Sequence, residues 1–114
     1  MRIAIVGIPG TGKSTLAAEM GGGRSTDDLM HLGWDEAGNE VSKWFDDPGP
    51  WIIEGVAVPR ALRLWRERHP GQPPPVDKVI HLRTVHQQHP DADAMGKGIN
   101  TVLKELWPWL MTKY

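Results

Sequence analysis

No cysteine occurs among the 114 residues, which excludes disulfides, thiolate metal sites and a cysteine nucleophile. The formal net charge is only −1, so no global field draws the chain to nucleic acid or to a membrane surface. No run approaches the ~20 consecutive apolar residues of a membrane helix. The apolar pattern at Ile3 begins too soon for the charged and apolar regions of a signal peptide, so a cytoplasmic location is expected. Phenylalanine and tyrosine are scarce, one of each, and the aromatic content rests on six tryptophans. His86 and His89 have a spacing that suits a metal, but no further ligand cluster accompanies them, and they read as part of a polar loop. No internal repeat is visible. A chain of this length is expected to form one domain, burying about two-thirds of its unfolded surface.

Against this plain background one stretch stands out. Gly7-Ile8-Pro9-Gly10-Thr11-Gly12-Lys13-Ser14-Thr15 matches the pattern G-x-x-x-x-G-K-[ST]. It follows the apolar run Ile3-Ala4-Ile5-Val6 and precedes the helical pattern Leu16-Ala17-Ala18-Glu19-Met20, so the motif has the strand–loop–helix setting it requires. Glycines at 7, 10 and 12 let the backbone approach an anion closely, with amides converging at the start of the helix. Lys13 offers a point charge for the β- and γ-phosphates, and the Ser14 hydroxyl suits a Mg²⁺ position. Pro9, Thr11 and Thr15 complete the expected lining for a nucleoside triphosphate.

The remaining chain alternates strands and helices. Arg2 to Val6 reads as a buried central strand, since its apolar run is unbroken. Gly21-Gly22-Gly23 ends the first helix. Arg24 to Asp28 is the second strand that a parallel βαβ unit requires. It places Asp27 and Asp28 on the carboxyl edge of the sheet, where α/β proteins bind ligands; Asp28 equally suits an N-cap. Glu36 to Phe45 has helical spacing, and Asp46-Asp47-Pro48-Gly49-Pro50 breaks it. Trp51 to Gly55 is the third strand, with Glu54 at its tip. An acid there, beside a phosphate loop, is where a Walker B group holds magnesium. Val58-Pro59 opens the next helix, on which Arg63, Arg66 and Arg68 read as a solvated face and Arg60 stands nearest the strand tip. Asp77 to Arg83 is the fourth strand, bringing Arg83 to the ligand edge. Asp91 to Met111 reads as a last helix interrupted at Gly96 and Gly98 and bent or ended near Pro108. Trp44, Trp65 and Trp107 read as core. Trp34 falls in an expected loop, either packed or stacked on a base or sugar.

This arrangement resembles the small P-loop kinases of the P-loop NTPase superfamily, in the nucleoside-monophosphate-kinase and shikimate- or polynucleotide-kinase-like group. Glu54-Gly55 through Pro59-Arg60 is similar to the acid-Gly-x-Pro-Arg segment of adenylate kinases, with two extra residues. The resemblance implies that Arg60 contacts an acceptor phosphate and that Asp27 orients an acceptor hydroxyl. It also implies a three-layer α/β/α sandwich on a parallel four-stranded sheet of order 2-3-1-4, as a minimal member. One departure matters. The family's lid arginines, whose effect on phosphoryl transfer reaches ~10³–10⁵, have no counterpart in Thr84 to Pro90, which contains no Arg or Lys.

Two functions follow as expectations. One is an ATP- and Mg²⁺-dependent transfer to a nucleotide, small hydroxyl acceptor or oligonucleotide end. Lys13, Asp27, Glu54, Arg60 and Arg83 would then serve the chemistry, and Ser14 and Glu54 the metal. The other is a nucleotide-binding accessory module with slow or partner-dependent ATP hydrolysis.

Overall fold

Ile3 to Val6 is buried on both sides, and that apolar continuity puts β1 (Arg2–Val6) inside the sheet. The structure is a computed structural model that describes residues 1–7, 13–82 and 92–111. β1 pairs with β3 (Trp51–Glu54) on one side and β4 (Lys78–His81) on the other, and β2 (Arg24–Ser25) lies beyond β3. All three pairings are parallel, in the order β2-β3-β1-β4. Ile5 stands opposite Glu54 and Ile80, so the tips of the strands share one edge.

Helices cover both faces. On one, Leu16 and Ala17 of α1 (Lys13–Glu19) pack on Ile3, Ile5, Ile52 and Ile80. On the other, Ala4, Val6 and Ile53 meet α2 (Trp34–Trp44), α3 (Val58–Arg68) and α4 (Ala92–Leu110), through residues such as Val41, Leu62 and Leu106. Each fully buried large aliphatic side chain contributes about 1.5–3 kcal/mol as an upper bound, so this second face carries most of the stability. Gly38 brings α2 and α3 together, because a Cβ there would sit 3.3 Å from Leu64 Cδ1.

Several expectations shift. β2 ends at Ser25, and Thr26–Leu32 forms 3-10 turns in place of strand. Two things end the strand: the Asp27 amide donates to Ser25 Oγ at 3.3 Å, and the Thr26 and Asp27 side chains accept the distant backbone amides of Ala57 and Val56. α2 begins at Trp34, two residues before the expected start at Glu36. Gly33, at φ 90°, turns the chain into it, and Asp35 and Glu36 suit the positive first turn. Trp34 therefore belongs to a helix and not to a loop. α4 runs unbroken past Gly96, Gly98 and Pro108. Glycines do end α1 as expected, with Gly21 and Gly22 at φ 108° and 101°. Trp65 is buried and Trp44 half-buried, but Trp107 is 49% exposed.

Candidate functional site

The carboxyl edge of the sheet carries Gly7 after β1, Asp27 after β2 and Glu54 at the tip of β3. β1 delivers Gly7, which is buried just beyond Val6, and the Val6 carbonyl accepts the Leu82 amide at 2.8 Å on the β4 side. α1 starts at Lys13, so a strand precedes the glycine motif and a helix begins at its lysine. Pro9, Gly10, Thr11, Gly12 and Arg83 lie outside the described residues, as do His86 and His89. Lys13 and Ser14 open α1, but their side chains fall outside the description as well; Thr15 is exposed.

Glu54 ends β3 opposite Ile5 of β1 and Ser25 of β2. Side chains alternate along a strand, so Glu54 shares the face of Ile52, which is the face α1 covers. It is 2% exposed. A carboxylate so placed, beside the start of the glycine segment, has donor chemistry that fits Mg²⁺. That ion is commonly held by one or two carboxylates together with substrate phosphates. Among the described residues, no group of three or more His, Asp or Glu side chains forms a metal cage.

Beyond Glu54 the chain turns sharply. Gly55 takes φ 139°, a value that suits glycine, and a Cβ there would lie 1.9 Å from Thr26 Oγ1 and 3.0 Å from Asp27 Oδ1. The two side chains hold the turn from outside. Asp27 Oδ1 accepts the Val56 amide at 3.2 Å, and Thr26 Oγ1 accepts the Ala57 amide at 3.3 Å. These amides immediately precede α3, whose N-cap residue, Ala57, has no capping side chain of its own. Thr26 and Asp27 thus satisfy amides at the start of α3 from a distant point in the chain. Asp27 is exposed and stands beside the residue that follows Glu54, so the structure brings the two carboxylate-bearing residues to one turn.

Arg60 emerges from the first turn of α3 and points toward the start of α2. Its guanidinium carbon lies 4.9 Å from the Trp34 ring centroid, and its NH1 lies 3.7 Å from Asp35 Oδ1. The other arginines of α3 face elsewhere. Arg63 and Arg66 pair with Glu105 of α4, while Arg68 donates to Ser42 Oγ and Asn39 Oδ1. They brace helices.

Sequence reasoning missed Thr26 and Asp35. Thr26 is fully buried, and only its place before two aspartates hinted at a capping role. Asp35 became visible as a partner for Arg60 once α2 was seen to start at Trp34. Among the described residues, no helix is long and apolar enough to cross a membrane. No family model matches this chain, and no curated protein or solved structure matches it either.

Proposed function

We propose that this chain binds a nucleoside triphosphate with Mg²⁺ on the Gly7–Thr15 segment and passes its terminal phosphoryl group to a nucleotide or a small hydroxyl acceptor. The observation that carries the reading is the pairing of that motif, set between β1 and α1, with buried Glu54 on the neighbouring strand tip and on the α1 face. That pairing and the sheet order β2-β3-β1-β4 support a P-loop NTPase reading. Lys13 and the loop amides would hold the phosphates, with Thr15 following at the helix start. Ser14 and Glu54 would hold the metal, which supplies charge neutralisation for the transferring group. Arg60 and Arg83 would add positive charge toward the acceptor, and Asp27 would orient the acceptor hydroxyl.

A second reading is favoured by the sequence of Thr84 to Pro90, which lacks the cations that stabilise phosphoryl transfer. On that reading the chain is an accessory nucleotide-binding module whose ATP hydrolysis is slow or completed by a partner. Both readings require the glycine segment to bind ATP. Calorimetry of wild type and Lys13→Ala tests this first. A charge-assisted contact contributes ~1.5–3 kcal/mol, so the variant should bind ATP about tenfold to a hundredfold more weakly. Unchanged affinity in a folded variant removes the basis of both readings.

A further inference from the structure

Two adjacent side chains of α2 converge on one side chain of α3, and they hold it in different ways. Trp34 is half-buried against the core and presents its ring to the Arg60 guanidinium at 4.9 Å. Asp35 meets the same group at 3.7 Å, but its side chain is 99% exposed. The ring is packed against the core, whereas the carboxylate stands in solvent.

The two contacts differ in kind. A guanidinium held over an aromatic ring can stack on it and keep its in-plane N–H donors available. Asp35 faces the same group at 3.7 Å, an ion pair too long for a hydrogen bond, so the N–H donors stay open to a phosphate. A phosphate group offers more charge than a carboxylate and accepts two parallel N–H···O bonds. An exposed ion pair at this separation is weak by comparison. Trp34 can hold Arg60 together with an incoming anion, whereas the Asp35 carboxylate, 3.7 Å from the guanidinium, would repel that anion.

We propose that Asp35 is a built-in competitor for Arg60, displaced when a phosphate-bearing acceptor arrives, and that Trp34 is the positioning residue that keeps the guanidinium at the carboxyl edge during the exchange. That the displacing anion belongs to an acceptor rests on the phosphotransferase reading. The competition itself rests on the three side chains alone. The two neighbours must then act with opposite sign, which a purely structural role for either would not produce.

The experiment follows the Arg60 Nε–Hε resonance of ¹⁵N-labelled full-length protein, assigned with Arg60→Lys, as inorganic phosphate is titrated. The Lys13→Ala background keeps the glycine segment from dominating phosphate uptake. Asp35→Asn should tighten phosphate binding at Arg60 about twofold to fivefold, and Trp34→Leu should weaken it by a similar factor. Trp34→Phe, which keeps a ring, should fall between Trp34→Leu and the parent. Should Trp34→Leu fail to fold, Asp35→Asn and Trp34→Phe still decide the matter. Phosphate binding that Asp35→Asn leaves unchanged or weakens overturns the competitor, and binding indifferent to the ring overturns the positioning role. ATP calorimetry on Asp35→Asn in an otherwise wild-type chain separates the two levels. Normal ATP binding with an unaltered Arg60 response sinks this inference alone, whereas no ATP binding to the wild-type chain sinks the phosphotransferase reading and with it the acceptor assignment.

Discussion

Thr26 Oγ1 accepts the Ala57 amide at 3.3 Å in a place where both residues are 0% exposed. The bond joins the end of β2 to the start of α3, across thirty-one positions of sequence. Without it the amide would be buried with no acceptor, a state that costs about 1–3 kcal/mol. Thr26→Val keeps the shape and removes the acceptor. It should lower the melting temperature by about 4–8 °C for each kcal/mol lost, while Thr26→Ser, which keeps the hydroxyl, should lose less. A thermal scan in which Thr26→Val unfolds with wild type would show that the bond contributes nothing.

Gly55 sits beneath that bond. Its φ of 139° strains any other residue, and a Cβ would lie 1.9 Å from Thr26 Oγ1. Gly22 has a comparable φ of 101° but nothing within 4 Å of its would-be Cβ. Backbone strain alone costs about 1–3 kcal/mol, and overpacking adds a similar amount. Gly55→Ala should therefore be about 2–6 kcal/mol less stable than wild type, and clearly less stable than Gly22→Ala. Urea unfolding of the two variants gives the ranking, and equal losses would mean that Thr26 yields at no cost.

The sequence revealed most clearly what depends on apolar continuity and on glycine. Ile3 to Val6 had to be an interior parallel strand, and Gly21 to Gly23 had to end the first helix. It was silent where one segment stabilises another. β2 is cut short because Thr26 and Asp27 spend their side chains on amides that lie far along the chain. α4 ignores its glycines because the cost of each, about 1 kcal/mol, is offset by burial of Leu103, Leu106 and Leu110. Trp107 and Trp109 flank that apolar stripe at about 80° on either side, from a turn of 3.6 residues. Trp109 meets Trp65 at 6.1 Å between ring centroids, whereas Trp107 is 49% exposed. Around the candidate site, the strand that ends at Glu54 and the helix that opens at Lys13 were legible, whereas the setting of Arg60 depended on where α2 begins.

Glu54→Gln keeps the shape of a side chain that is 2% exposed and removes its charge. If the carboxylate holds magnesium, the gain in ATP affinity on adding Mg²⁺ should shrink by about tenfold or more, the worth of a charge-assisted contact. Metal-free ATP binding should change little. Calorimetry with and without Mg²⁺ measures both. A variant that responds to magnesium as wild type does makes Glu54 an ordinary strand-end residue.

Asp27 separates transfer from accessory hydrolysis, and its hydrogen bond makes the test cleaner. Its Oδ1 accepts the Val56 amide at 3.2 Å, and asparagine retains a carbonyl oxygen able to do the same. Asp27→Asn should thus preserve the turn at Gly55 while removing the negative charge that would orient an acceptor hydroxyl on the transferase reading. A positioned acid–base group contributes about 10²–10⁴-fold, so phosphoryl transfer should fall by that order, with ATP affinity and melting temperature close to wild type. Asp27→Ala serves as the contrast, since it loses the Val56 contact as well and should also lose stability. The assay is ADP release by each protein, with and without nucleosides, nucleotides, sugars and oligonucleotide 5′ ends. Acceptor-stimulated release that vanishes in Asp27→Asn supports transfer through this residue. Equal, acceptor-independent release from both proteins points to the accessory module. A stimulated rate that survives in Asp27→Asn leaves the transferase standing and reduces Asp27 to the clamp it forms with Thr26.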